Sequence, residues 1–69
     1  MTFEVGKDFE TPHRAGAGGF QVDTLIDENG IDETEKIDVG IIFQDDHELR
    51  RYLSTIFRHP ASDIYISDL

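Results

Sequence analysis

Leu49, Tyr52, Leu53, Ile56 and Phe57 fall at i, i+3, i+4, i+7 and i+8, the spacing of an apolar stripe down one side of an α-helix. One amphipathic helix cannot bury such a stripe against itself. The rest of the chain must supply an apolar surface, and the strand patterns described next make that surface a sheet. The flanks agree with the stripe. Asp45 is placed to cap the helix start, and Glu48 three residues later completes a capping box. Arg58 and His59 fall in the last turn, where cations suit the helix dipole, and Pro60 ends the helix.

Residues 2–5 alternate polar and apolar side chains (Thr2, Phe3, Glu4, Val5) and read as a short strand. Residues 6–18 carry Thr11-Pro12 and Ala15-Gly16-Ala17-Gly18, which predicts a long flexible loop. Residues 19–26 read as a second strand, with Phe20, Val22, Thr24 and Ile26 on one face. Asp27-Glu28-Asn29-Gly30 is a turn signal, because Asn-Gly accepts the positive φ of tight turns. Ile37, Val39, Ile41 and Phe43 then alternate as a third strand, which predicts an antiparallel hairpin with an acidic tip. Residues 63–68 alternate as the last strand, with Ile64 and Ile66 on one face and Tyr65 on the other.

The expected fold class is α+β. A small, mostly antiparallel sheet of three to four strands carries one amphipathic helix on one face, in the order β-β-β-α-β. The crossover through the helix predicts parallel third and last strands. Residues 1–69 make one domain, with residues 6–18 as its flexible loop.

A domain of this length buries only about 60% of its unfolded surface. With no cysteine, neither a disulfide nor a thiolate zinc site reinforces it. Stability must come from compact packing, from a homodimer or from a partner. Residues 1–10 include Glu4, Asp8 and Glu10 and no apolar run, so no signal peptide is expected. No stretch approaches the roughly 18 consecutive apolar residues of a membrane span. These features predict a complete, cytoplasmic gene product with no membrane partner, acting in the host cytoplasm if phage-encoded.

The net charge of −9 is concentrated. Residues 23–48 hold ten carboxylates against Lys36 alone, whereas residues 1–22 sum to −1 and residues 49–69 to +1. That field disfavours direct binding to nucleic acid or an anionic membrane and favours a basic protein surface. A structural surface has little reason to keep the self-repulsion of so many carboxylates. On one face of a strand, alternate side chains lie roughly 6.6 to 6.8 Å apart, close to the spacing of successive phosphates along a nucleic-acid strand.

Signals for chemistry are weak by comparison. Gly30 at position six of an EF-hand loop would put Leu25 at position one, which cannot coordinate calcium. The glycines around Gly18 lack the Lys-Ser/Thr pair and following helix of a P-loop. His13, His47 and His59 lack a nucleophile elbow or metal-type spacing. No enzyme activity, cofactor or metal is expected. His47, Arg50, Arg51, Ser54 and Arg58 form a basic stripe opposite the apolar one, either simply solvated or a second contact surface.

In size, charge and element order the chain resembles the small inhibitors that phages and other mobile elements encode. Anti-CRISPR proteins, anti-restriction proteins and other DNA mimics are examples. The resemblance implies a non-enzymatic inhibitor that occupies the basic surface of a nucleic-acid-binding protein or complex. The expected contact residues are Asp23, Asp27, Glu28, Asp32, Glu33, Glu35 and Asp38, with Asp45 and Asp46 extending the surface. The alternative is an adaptor, antitoxin-like or structural subunit of a larger complex, with incidental acidity.

Overall fold

Strand β1 (Thr2–Asp8) forms the middle of a three-stranded mixed sheet. In this computed structural model, which describes residues 1–69, β1 pairs antiparallel with β2 (Gln21–Asp27) and parallel with β3 (Tyr65–Asp68). The antiparallel pair is the longer of the two. The parallel partner of the last strand is therefore β1, not the expected third strand.

Helix α2 (Asp46–Phe57) forms where the stripe predicts it and covers one face of the sheet. Leu49 and Leu53 are fully buried against Phe3, Val5, Phe20, Val22, Leu25, Phe43 and Ile64, with Tyr52 and Phe57 packed at the margin. Asp45 caps the helix, its Oδ1 accepting from Glu48 N at 2.9 Å. Glu48 Oε1 answers by accepting from Gln44 N, one residue before the cap. The helix stops at Phe57, and Arg58 turns left-handed with φ 56°. Arg58 and His59 therefore lie beyond the last turn, because Pro60 disfavours helical backbone at His59.

Residues 6–18 are not one loop. Gly6 to Asp8 continue β1, and helix α1 (Glu10–Arg14) follows at once. Asp8 Oδ1 accepts from Glu10 N at 2.9 Å and Thr11 N at 3.1 Å, which starts the turn. Pro12 fits because it occupies the first turn, where a backbone N–H has no helical partner to lose.

The alternation expected across residues 19–26 breaks at Asp23. Gly6 pairs with Thr24 and Lys7 with Val22, so Asp23 is the extra residue of a β-bulge. The bulge turns Val22 and Leu25, three apart, to the same buried face and leaves Thr24 and Ile26 facing the other way.

The expected third strand does not form, so the order is β-α-β-α-β with 3₁₀ turns at Thr34–Lys36 and Ala61–Asp63. The chain does reverse where predicted. Gly30 N donates to Asp27 O, Gly30 has φ +79°, and Asp27 N donates to Ile31 O, a type I turn with a glycine bulge. Pairing along β2 then lasts only through Glu33 N to Leu25 O. The Thr34 hydroxyl takes the next donor, Leu25 N, and ends the ladder. Farther on, Asp38 Oδ1 accepts from Gly40 N at 2.8 Å and bends the backbone out of strand. Asp38 and Gly40 occupy the polar positions of the apparent alternation, and both residue types are poor in strands. Only Phe43 pairs again, through an isolated bridge to Phe20 just before β2.

Candidate functional site

The fold assigns most carboxylates of residues 23–48 to local structural work. Asp27 Oδ1 accepts from Asn29 N and Ile31 N at 2.8 and 2.9 Å, which shapes the tight turn. Asp32 Oδ1 accepts from Thr34 N at 2.8 Å. Hydrogen bonding from the Thr34 side chain, then from its backbone N–H, holds the Asp32 carboxyl below its ordinary pKa. Asp38 supports its own turn, and Asp45 caps α2.

Glu33 is 9% exposed, the one charged residue that the core encloses. Lys36 Nζ approaches its Oε2 at 2.6 Å, and that oxygen has no other polar partner. The same contact raises the Lys36 pKa, and the Lys36 ammonium lies 5.7 Å from the Phe57 ring centroid. Glu33 is therefore withdrawn from any contact surface.

Asp45 and Asp46 do not extend the acidic loop. Phe3, near the start of β1, pairs with Asp27, while Lys7, near its end, meets Asp46 Oδ1 at 2.7 Å. The two acidic groups stand at opposite ends of β1, about four residues or roughly 13 Å of strand apart. The Lys7 ammonium also meets Asp68 Oδ1 at 2.8 Å and lies 4.8 Å from the Phe20 ring centroid. Burial pulls the Lys7 pKa down, but hydrogen bonds and charge from Asp46 and Asp68 outweigh it, and the pKa stands above the ordinary lysine value.

Asp23, Glu28 and Glu35 are the predicted contact residues that remain exposed with neither a hydrogen bond nor an ion pair. The cations divide as sharply. Lys7, Lys36 and Arg14 are all paired, Arg14 with Glu10 at 2.9 Å. Arg50, Arg51 and Arg58 have no carboxylate partner; Arg50 and Arg51 are on α2 with His47, and Arg58 follows its end.

Asp27, Asp32 and Asp38 bond to their own backbone, and no three carboxylates converge as a ligand set. A shallow cavity of about 480 Å³ is lined by Phe9, Glu10, His13, Ala17, Gly18 and Gly19. His13, His47 and His59 are exposed, and their rings bond to no carboxylate or hydroxyl. No helix is long and apolar enough to cross a membrane.

Sequence reasoning missed Glu4 and Tyr65, which share the sheet face turned away from α2. The alternation of residues 2–5 and 63–68 carried the signal, since Phe3, Val5, Ile64 and Ile66 claim the opposite face. No protein-family model, curated protein or solved structure matches the chain.

Proposed function

We propose that this is a non-enzymatic binding protein, an inhibitor of the phage or mobile-element kind, that occupies a basic surface on a nucleic-acid-handling protein. Such a role belongs in the cytoplasm, where that machinery works. One observation carries the reading: Lys36 is the only cation of residues 23–48, and Glu33 takes it. Asp23, Glu28 and Glu35 are thereby left as exposed charges without local compensation, and Asp32 and Asp38 remain exposed beside them. Uncompensated carboxylates on a chain of net charge −9 steer it toward positive potential.

The experiment is affinity capture from a host lysate at low and high salt, then competition between the protein and duplex DNA for what is captured. The triple variant D23N/E28Q/E35Q removes charge without touching a turn, a cap or the Glu33–Lys36 pair. A nucleic-acid-binding protein is expected, held at about 50 mM salt and released near 500 mM, where the Debye length falls below about 5 Å. DNA should compete for it, and the triple variant should bind about tenfold more weakly, at 0.2 to 1 kcal/mol per exposed pair. Capture that ignores salt and DNA would instead favour an adaptor or structural subunit with an apolar interface.

A further inference from the structure

The sheet face turned away from α2 is open to solvent at Glu4, Asp23, Tyr65 and Ser67 and partly buried at Gly6, Thr24 and Ile26. Its outward positions include Glu4 and Gly6 on β1, Ile26 on β2, and Tyr65 on β3, with Leu69 just beyond it. Tyr65 and Leu69 are each 63% exposed, whereas Phe3 and Val5, which alternate with Glu4 on β1, are buried. The bulge adds Asp23 to this face. Its Oδ1 occupies the space a side chain at Gly6 would need, so a carboxylate lies across the middle strand where glycine leaves room. Glu4 and Gly6 are two residues apart on one face, which sets Asp23 Oδ1 about one strand repeat, roughly 6.7 Å, from the root of the Glu4 side chain.

No cation answers them there. Lys7 points to the helix side, between Asp46 and Asp68; Lys36 lies by Phe57; Arg14 pairs with Glu10; the Met1 ammonium donates to Asp63 O; Arg50 and Arg51 are on the helix, and Arg58 lies just past its end. The charged side chains of the molecule are therefore split between its two layers, with the unpaired arginines on α2 and just past its end and only acidic side chains on the open sheet face. Tyr65 of β3 stands opposite Thr2, one strand repeat along from Glu4, and an aromatic ring near an unpaired carboxylate suits a guanidinium, which can stack on the ring while its N–H groups reach the acid.

Resting on the function proposed above, we infer that the open sheet face is the principal contact surface for the basic partner, and that it takes arginine side chains along the face, one at Glu4 near Tyr65 and one at Asp23. The acidic turn at residues 27–35 then serves as its rim.

The test is amide chemical-shift mapping of the full-length ¹⁵N-labelled protein titrated with a deca-arginine peptide at low salt. Shifts should concentrate at residues 4–6, 23–24 and 65–69. E4Q/D23N and Y65A should each weaken binding about three- to tenfold. All three substituted side chains are exposed, and the same spectra report whether the fold persists. Shifts confined to residues 27–35, with both variants binding like the wild type, would overturn the sheet-face assignment while leaving the acidic-binder reading intact. Absence of saturable binding anywhere would sink both.

Discussion

Lys7 joins three elements that would otherwise be held mainly by the core, and replacing it with methionine isolates that role. The side chain is 10% exposed, and its ammonium bridges Asp46 at the start of α2 and Asp68 at the end of β3. Asp46 is 40% and Asp68 69% exposed, so both pairs are discounted for solvent screening. The two pairs together are worth about 0.5 to 2 kcal/mol. The cation over Phe20 adds about 0.5 to 1 kcal/mol. Methionine keeps the apolar stem and recovers part of this by contacting the ring through sulfur, while the cost of desolvating an ammonium disappears. The expected net loss for Lys7→Met is about 1 to 2 kcal/mol. In a domain this small that lowers Tm by roughly 4 to 16 °C. Thermal melts of Lys7→Met, D46N, D68N and the two double variants give the pairwise couplings. Asp46, the less exposed partner, should couple more strongly than Asp68, and its coupling should survive added salt better. A Lys7→Met protein as stable as wild type, with both couplings below about 0.2 kcal/mol, would refute the idea that these carboxylates offset the burial of Lys7.

Gly6→Ala places a methyl against Asp23 Oδ1 and 3.1 Å from Thr24 Cβ, so it should lower the denaturant midpoint by about 1 kcal/mol equivalent. Adding Asp23→Ala should restore most of it, and an unrescued double variant would show that the clash is with the Thr24 side chain. Acid sensitivity follows from Asp8 and Asp32. Hydrogen bonding from Thr11, then Glu10 N–H, depresses the Asp8 pKa, and Thr34 does the same for Asp32. A depressed carboxylate contributes stability above its unfolded pKa, near 3.9, and loses it as pH falls through the folded value. Midpoints for D8N and D32N between pH 7 and 2 should therefore fall less steeply on the acid side, below about pH 4, than the wild type. An acid limb unchanged by either substitution would show that other groups drive acid unfolding.

Helix α2 was legible because its signals are local, except that Ile56 of the stripe is exposed and Arg58 and His59 fall past its end. The stripe, Asp45 and Pro60 act within a few residues of one another, and tertiary contacts only decide what the stripe covers. The same holds for the turn at Gly30 and for the inward side of Ile64 and Ile66. The α+β class followed from one helix needing a sheet. The third strand misled because alternation of Ile37, Val39, Ile41 and Phe43 describes side chains, while strands exist by backbone pairing. Thr34 ended the pairing, and Asp38 with Gly40 bent the chain away. Nothing local announced the bulge at Asp23, because a bulge is a relation between two strands.

The candidate site divides along the same line. Net charge and its concentration between residues 23 and 48 belong to the sequence alone, and so does the expectation of a basic partner. Which carboxylates are free to meet that partner was decided by the tertiary structure. Folding set Lys36 against Glu33 and Lys7 against Asp46, tied Asp27, Asp32 and Asp38 to their own backbones, and turned Glu4, Asp23 and Tyr65 to one open face. Charge adds along a chain whatever its shape, but compensation of charge depends on distances of a few ångströms, and those are fixed only when strands and helix pack.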